Sequence, residues 1–282
     1  MRLVFNCTFH KFHREYCESI ADEMTLRGGE AIFADGPENS GHYKADFCIQ
    51  PDEACERLGA KVGVWINHAL PVIPQNDLYF GEAFKNSLIR NSDYIFTFSK
   101  TWKEWHEMYG LPVQSVGLPK LDSYFNNIEG GHILYAPTHH LKPGVYSGPY
   151  IDQKRLKRYG SVVFRGHPAF YPDQETSMES LKKASIVISD YSSMGLEAII
   201  LNIPTILIGQ ETWRYLKSDH ISQQADAAAI RVYKQEELEE AIQIYLENPK
   251  YLEAERLQYA DLLCEYQGCA AQKFVDTLEE IL

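Results

Sequence analysis

Short apolar segments alternate with longer amphipathic segments along most of this chain. The apolar segments are typical of buried strands, and the amphipathic segments carry apolar residues at helical spacing. A regular alternation of strands and helices predicts a mostly parallel sheet with helices on both faces. The predicted strands are Leu3–Phe5, Ala31–Ala34, Phe47–Ile49, Val62–Ile66, Tyr94–Phe98, Gln114–Gly117, His132–Tyr135, Val162–Phe164, Ile186–Ile188, Thr205–Ile208 and Ala229–Val232.

The polar segment Asn126–Gly131 divides this alternation into two halves of similar size. A chain of 282 residues is long for one hydrophobic core and sufficient for two α/β domains. We therefore predict an α/β fold with two Rossmann-like domains, residues 1–127 and 128–282, whose parallel sheets face each other across a cleft. The tail from Gln235 onward is predicted to be helical, with the last helix packing back on the N-terminal domain.

Composition narrows the class of protein and of partner. Hydrophobic residues make up 45% of the chain and its mean hydropathy is -0.33, as in ordinary globular proteins. No apolar run approaches the roughly 18 residues that cross a bilayer. The six cysteines lack a framework spacing and the first residues lead directly into a strand, so we expect a cytoplasmic protein without a signal peptide. The net charge of -12 argues against a broad nucleic-acid or anionic-membrane surface, but leaves a local basic patch open.

A strand–serine–helix junction indicates where a phosphate binds. The strand ending at Ile188 leads into Ser189-Asp190-Tyr191-Ser192-Ser193, after which an apolar helix begins. Serine oxygens at such a junction cap the first helical turn, and the same turn attracts phosphate. Counting three residues from Ser193 for a capping box gives Leu196, so Glu197 is not needed for capping and is a candidate for binding the ribose of a nucleotide.

Histidines follow three of the predicted strands. His68 comes after Val62–Ile66, His167 comes after Val162–Phe164, and Thr138-His139-His140 comes after His132–Tyr135. Ligands of parallel α/β sheets bind at the carboxyl ends of the strands, and histidine titrates near neutral pH. These histidines are therefore candidate general bases.

Taken together and in order, these segments resemble the CDP-glycerol glycerophosphotransferase family, which includes the teichoic-acid and capsule polymerases and has a GT-B fold. The family's H-G-T-P, S-x-x-F, G-Y-P-R-x-D, Y-A-P-T-W-R, basic-x-H-P and T-D-Y-S-S-x-x-F-D motifs are matched or echoed, in turn, by His68–Pro71, Ser99-Lys100, Gly117–Asp122, Tyr135–His140, Arg165–Pro168 and Ser189–Glu197. The resemblance runs from about Gly63 to the C-terminus.

The resemblance implies a metal-independent transferase that takes a nucleotide-activated donor as substrate and has no resident cofactor. It implies a donor nucleotide in the second domain and a hydroxyl acceptor in the first. The implied catalytic residues are His68, as the base, and His167. The candidate donor-binding residues are Arg165, Asp190, Ser192, Ser193, Glu197, Thr138 and His139. The candidate acceptor-side residues are His10, His13, Asn67, Lys154 and Arg155.

Two departures from the family pattern leave the transferred group open. The chain has Val72-Ile73-Pro74 where the family has a lysine, and His140 where it has an arginine. Two fewer cations disfavour phosphoryl transfer, whose transition state carries negative charge, more than glycosyl transfer. A UDP-sugar glycosyltransferase that modifies a hydroxylated base in nucleic acid and a nucleotide-sugar epimerase therefore remain alternatives, although a saccharide or polyol-phosphate acceptor is favoured.

Three further patterns have plain structural readings. The spacing of Cys7, His10, His13 and Cys17 mimics a zinc site, but these residues straddle a strand end and a helix, so no metal is expected. The basic run Lys154–Arg158 is typical of a solvated helix face and is also able to contact a polyanionic acceptor. The aromatic residues Trp102, Trp105 and Tyr109 follow helical spacing and are predicted to lie in the core.

Overall fold

The computed structural model describes residues 1–7, 11–34, 43–51, 56–67, 88, 90–137, 151–166, 175–190, 192–209 and 227–282, and for residues 11–13, 105 and 108 the backbone alone. These residues form two compact units. Unit 1 consists of the described residues up to Ser123 together with Cys264–Leu282, and unit 2 consists of those within Tyr124–Leu263. Each unit is built on its own parallel sheet, which confirms the predicted fold of two parallel-sheet α/β domains.

Helices of the described residues cover these sheets. In chain order they are α1 (Lys11–Leu26), α2 (Lys100–His106), α3 (Gln153–Leu156), α4 (Ser177–Lys182), α5 (Ser193–Ile200), α6 (Gln235–Glu247), α7 (Glu253–Leu263) and α8 (Ala270–Ile281). Short 3-10 turns lie at Glu107–Tyr109, Pro119–Tyr124 and Lys157–Tyr159. Among the described residues, no helix is long and apolar enough to cross a membrane.

Within the described part of unit 1, the sheet has six parallel strands, namely β1 (Arg2–Asn6), β2 (Glu30–Ala34), β3 (Phe47–Pro51), β4 (Val62–Ile66), β5 (Tyr94–Thr97) and β6 (Val113–Ser115). Their order in space is β2-β1-β3-β4-β5-β6. Trp65 pairs in register with Ile95, and Ile95 with Val113, so that these side chains form one apolar row. Leu88 packs against the same row. This cluster is the core of one face of the sheet.

The opposite face of this sheet carries the C-terminal helix. The rings of Phe96 in β5 and Phe274 in α8 lie edge to face with centroids 4.8 Å apart. Asp122 caps α8, because its carboxylate accepts the backbone N–H groups of Ala270 at 3.0 Å and Ala271 at 2.7 Å. Burial raises the pKa of Asp122 to about 6, and the two amide hydrogen bonds oppose that rise. The C-terminal helix is therefore held in unit 1 by both apolar packing and a charged cap.

The segment Gly117–Asp122 begins with a glycine that its position requires. Its φ is +82°, and a Cβ at this position would lie 2.3 Å from the carbonyl oxygen of Glu265. Only glycine tolerates both the left-handed backbone and this close approach. The segment quoted above for its family likeness thus joins the end of β6 to the residues that precede α8.

The described residues of unit 2 form a sheet of five parallel strands, namely β7 (His132–Ala136), β8 (Val162–Phe164), β9 (Ala184–Ser189), β10 (Thr205–Ile208) and β11 (Ile230–Val232). Their order in space is β11-β10-β9-β7-β8. One face buries isoleucines of β7, β9 and β10 against Leu238, Ile242 and Tyr245 of α6. A continuous apolar core therefore supports the carboxyl ends of β7 and β9.

Each sheet has a topological switch point, where two later strands lie on opposite sides of the first strand of the unit. In unit 2, β8 lies on one side of β7 and β9 lies on the other. In unit 1, β2 and β3 flank β1 in the same way. Open parallel sheets bind ligands outside the carboxyl ends of the strands at such switch points. In unit 2 that position lies between the ends of β7 and β9.

Candidate functional site

The end of β9 is joined to the end of β7 at the switch point of unit 2. Ser189 is fully buried, and its Oγ donates to the carbonyl oxygen of Ala136 at 2.9 Å. Asp190 follows and is partly exposed. The chain then enters α5, whose N-terminus consequently lies beside the ends of both strands.

The N-cap of α5 is Ser192. Its φ and ψ of -70° and 138° are extended, and its Oγ accepts the backbone N–H of Met194 at 3.3 Å. Ser193 is the first helical residue. Counted from Ser192, the capping-box position is Gly195, so Glu197 still lies outside it. The N–H groups and the positive dipole end of this first turn form a surface that favours an anion.

Gly195 allows α5 to sit close to the sheet. A Cβ at this position would lie 2.9 Å from Cδ2 of Leu207 in β10 and 3.4 Å from Cβ of Ser189 in β9. A larger residue would have to displace either the helix or the side chain of Leu207. The glycine therefore holds the first turn of α5 at the switch point.

A buried cation lies against the first turn of α5. Arg165 follows β8 and is 7% exposed. Its guanidinium donates to the carbonyl oxygens of Gly166 at 3.5 Å and Glu175 at 3.3 Å, and Nη1 lies 4.0 Å from the sulfur of Met194. The second residue of α5 and the arginine side chain are thus in contact. Of the predicted donor-binding residues, Ser192 and Ser193 precede Met194 at the start of α5, and Arg165 contacts this turn through Met194.

Glu197 lies one turn further into α5 and is completely buried. All of the residues from Met194 to Ile200 are buried, so the helix is enclosed on every side. The predicted contact between Glu197 and a ribose therefore requires the surroundings of this carboxyl to open when ligand binds. It stays a prediction.

Several predicted site residues lie outside the described residues. These are His68, His167, Thr138, His139 and His10. His13 lies within α1, where only its backbone is described. Asn67, the residue after β4, is described and is 5% exposed. The catalytic assignments of His68 and His167 accordingly stay predictions.

The basic run is held along α6. Asp152 caps α3 by accepting the backbone N–H of Lys154 at 2.9 Å. Arg155 forms an ion pair with Glu239 of α6 at 2.7 Å, and Arg158 pairs with the same carboxylate. Burial raises the pKa of Glu239, but hydrogen bonds from Gln235 and Arg155 outweigh it, so that the pKa lies below its ordinary value. Two of the basic side chains are thus partly neutralised within unit 2.

The surroundings of Cys17 favour its protonated thiol. Burial and a hydrogen bond with Cys7 raise the pKa of Cys17 well above its ordinary value, which disfavours the thiolate that binds metals. Among the described residues, no group of three histidine, cysteine or acidic side chains is arranged to hold a metal ion. The aromatic prediction is confirmed for Trp102, which is 1% exposed, and Tyr109 packs against the core row of β4 to β6.

Thr97 is a buried polar residue at the carboxyl edge of the unit 1 sheet that was not among the candidates from the sequence. This residue ends β5 and is 1% exposed. The available signal was a polar β-branched residue at the end of an otherwise apolar strand that adjoins β4. Thr97 lies beside the end of β4 because β5 is next to β4 in the sheet. The order of strands in a sheet depends on tertiary structure and is not given by the strand pattern in the sequence.

Comparison with known proteins identifies the fold. No protein-family model and no curated protein matches the chain. A structure of the wall teichoic acid polymerase TagF is similar, with a TM-score of 0.67 and 15% identity over 99% of this chain and 89% of that chain. An MnaA–UDP co-structure from S. aureus has a TM-score of 0.62 and 10% identity over 99% of this chain and 96% of that chain. A UDP-GlcNAc 2-epimerase from Neisseria meningitidis bound to UDP-GlcNAc has a TM-score of 0.62 and 12% identity over 99% of this chain and all (100%) of that chain. The two parallel-sheet α/β units of this chain are accordingly the two domains of a GT-B fold.

Proposed function

We propose that this protein is a GT-B transferase that moves a group from a nucleotide-activated donor, CDP-glycerol or a UDP-sugar, to a hydroxyl of an acceptor. The observation that carries the proposal is Arg165, a buried cation in contact with the first turn of α5 at the switch point of unit 2. A guanidinium and a helix N-terminus are both complementary to the diphosphate of such a donor.

The donor is assigned to unit 2. Arg165 and the first-turn N–H groups at Ser192 and Ser193 contact the diphosphate, and Asp190 and Glu197 serve the nucleoside. Thr138 and His139 complete the predicted donor set. The similar structures support a nucleotide-linked donor, since a TagF variant was solved after soaking with CDPG, and MnaA and the Neisseria epimerase are complexes with UDP and UDP-GlcNAc.

The chemistry is assigned to the two histidines predicted from the sequence. His68 removes the proton from the acceptor hydroxyl, the oxygen attacks the donor, and the nucleotide leaves with the bonding electrons. His167 and Arg165 neutralise the charge that develops on the leaving phosphate, which lets the reaction proceed without a metal ion. Loss of a general base typically lowers the rate by about 10²–10⁴-fold.

A nucleotide-sugar epimerase is the second candidate. The observation that favours it is the similarity to epimerase structures, which is close to that with TagF. An epimerase acts on the donor alone, so it needs no acceptor. Transfer to nucleic acid, the third candidate, depends on the basic run Lys154–Arg158, and the pairing of Arg155 and Arg158 with Glu239 reduces the charge available. A saccharide or polyol-phosphate acceptor is therefore favoured.

Binding is tested first, by isothermal titration of the full chain with CDP-glycerol, UDP-glucose and UDP-GlcNAc. We expect one of these to bind, and Arg165→Met to weaken that binding at least tenfold. Lys182→Met is the matched control, because Lys182 is a surface cation of the same unit that pairs with Glu129 at 2.9 Å. Absence of binding for all nucleotide donors, or equal affinities of the Arg165 and Lys182 variants, would refute the donor site.

Turnover is tested next, by chromatography of the nucleotide released with and without hydroxylic acceptors. A transferase releases CMP from CDP-glycerol, or UDP from a UDP-sugar, faster when the acceptor is added. His68→Ala should lower that rate at least a hundredfold while leaving donor affinity unchanged. Interconversion of UDP-sugars without acceptor would instead establish the epimerase. Glu197→Ala should weaken nucleotide binding if its carboxyl contacts the ribose.

A further inference from the structure

Two polar side chains at the carboxyl edge of the unit 1 sheet each bury one atom that lacks a hydrogen bond within the described residues. Asn67 follows β4 and is 5% exposed, and Thr97 ends β5 and is 1% exposed. Within the part of the chain that the structure describes, neither Nδ2 of Asn67 nor Oγ1 of Thr97 has a hydrogen-bond partner. Buried polar atoms are nearly always paired with protein or water, so these two require an explanation.

The strand register places the two side chains side by side. Val64 to Ile66 of β4 pair with Tyr94 to Phe96 of β5. One step further along both chains come Asn67 and Thr97. Because side chains alternate between the two faces of a sheet, both lie on the face that carries the row of Trp65 and Ile95, two residues back. The polar pair therefore extends an apolar core row at its carboxyl end.

Polar side chains of the neighbouring strands are hydrogen-bonded. In β6, Ser115 pairs in register with Thr97 and donates to Glu265 at 2.5 Å. In β3, Gln50 accepts from Ser92 at 2.8 Å. Asn6, at the end of β1, donates to the carbonyl oxygen of Glu56 at 3.2 Å. Among these polar side chains of β1 and β3 to β6, the buried atoms without a partner are thus those of Asn67 and Thr97.

The chemistry of the pair is complementary to an uncharged hydroxyl group. The amide of Asn67 offers an N–H donor, and the hydroxyl of Thr97 both accepts and donates. One alcohol oxygen is able to accept from Asn67 while its proton is donated to Thr97. A phosphate would be matched by cations instead, and neither of these side chains is charged.

We propose that Asn67 and Thr97 form a recognition site for a neutral hydroxyl of the acceptor, which makes the acceptor a polyol or a saccharide recognised through its alcohol groups. This inference rests on the proposed function. It assigns the binding of the acceptor hydroxyl to Asn67, the residue that precedes the proposed base His68 in the sequence. In this assignment Thr97 determines specificity for the acceptor. The role of Asn67, which was predicted only to lie on the acceptor side, is to donate a hydrogen bond to the acceptor hydroxyl.

The test compares variants that differ by single polar groups. Thr97→Val and Asn67→Leu remove the polar group at nearly constant volume, and Thr97→Ser keeps the hydroxyl. If the groups are reserved for ligand, both apolar variants raise the thermal midpoint while lowering kcat/KM for the acceptor at least tenfold, and Thr97→Ser stays within about threefold of wild type. Ser115→Ala is the matched control, because it breaks a satisfied hydrogen bond of the same row and should lower the midpoint without changing acceptor kinetics.

A second measurement does not depend on the donor. Saturation-transfer NMR of the full chain with glycerol and with methyl glucoside, in the absence of nucleotide, should detect binding of at least one probe in wild type and its loss in Thr97→Val. No binding of either probe to wild type, or undiminished binding in Thr97→Val, overturns the inference. A rise in the midpoint with unchanged acceptor kinetics also overturns it, since the pair then holds only a water molecule. The donor titrations decide the proposed function independently.

Discussion

Acid should destabilise unit 1 through His106. This residue is 4% exposed on α2, its Nδ1 lies 2.8 Å from the carbonyl oxygen of Trp102, and its ring packs edge to face on Trp65. A carbonyl oxygen only accepts, so Nδ1 carries the proton in the neutral ring and a second proton would enter a buried apolar site. Burial accordingly lowers the pKa of His106 from 6.5 to about 4.

The sign and size of the effect follow from that shift. The unfolded chain binds a proton near pH 6.5 and the folded chain only near pH 4, so the stabilisation is fully present above pH 6.5 and is lost as the pH falls toward 4. At about 1.4 kcal/mol for each unit of pKa, the complete loss is about 3 kcal/mol. Roughly two thirds of it, about 2 kcal/mol, is lost by pH 5.

The assay is urea denaturation followed by tryptophan fluorescence between pH 8 and pH 4.5, since Trp65 and Trp102 both adjoin His106. His106→Asn keeps an N–H donor near the Nδ1 position and does not titrate. It should lower stability by a constant amount above pH 6.5 and flatten the decline below it. His132→Asn is the comparison, because His132 is less buried and burial also lowers its pKa, so that it should contribute to the slope with the same sign but less than His106. Parallel pH profiles for wild type and His106→Asn would refute the reasoning.

Three other predictions concern stability. Asp122→Ala removes the cap of Ala270–Ile281 and should cost about 1–2 kcal/mol, measured by the urea midpoint of unit 1; an unchanged midpoint would mean that apolar packing alone holds this helix. Arg256→Met should cost about 1–3 kcal/mol in unit 2, because the buried guanidinium donates to the carbonyl oxygen of Tyr251 at 2.7 Å. Gly195→Ala should cost about 1–3 kcal/mol by overpacking α5 against the sheet, whereas a neutral effect in calorimetry would show that the helix shifts freely.

The strands were predictable because they are continuous apolar runs with clear polar flanks. Val62–Ile66, Val162–Phe164 and Thr205–Ile208 coincide with β4, β8 and β10 to the residue. The tail was predicted to be helical and to end in a separate last helix, but the positions of its breaks were not predicted. Those breaks fall at Leu252 and Tyr266, which adopt positive φ angles of 59° and 55°. Non-glycine residues in this conformation carry no clear sequence signal, so the division of the tail was beyond the pattern.

The candidate site was predicted where local sequence determines it and not where distant contacts do. A serine cap before an apolar helix is a local device, and the structure places it at Ser192. The contact of Arg165 with Met194 joins residues that are 29 positions apart. The pairing of Arg158 with Glu239 spans 81 positions, and it changes the meaning of the basic run. The sequence therefore indicated a basic patch at Lys154–Arg158. Only the packing of α6 showed that part of its positive charge is paired with Glu239 and does not contribute to binding a polyanion.

The carboxyl edges of the two sheets differ in the chemistry that they bury. The edge of unit 2 buries the cation Arg165 against a helix N-terminus, which suits an anionic group. The described edge of unit 1 buries the neutral side chains of Asn67 and Thr97, which suit an alcohol. A transfer between a nucleoside diphosphate and a hydroxyl needs one site of each kind. An enzyme acting on the donor alone has no use for the second, so the acceptor kinetics of Thr97→Val bear on the reaction class as well as on one residue.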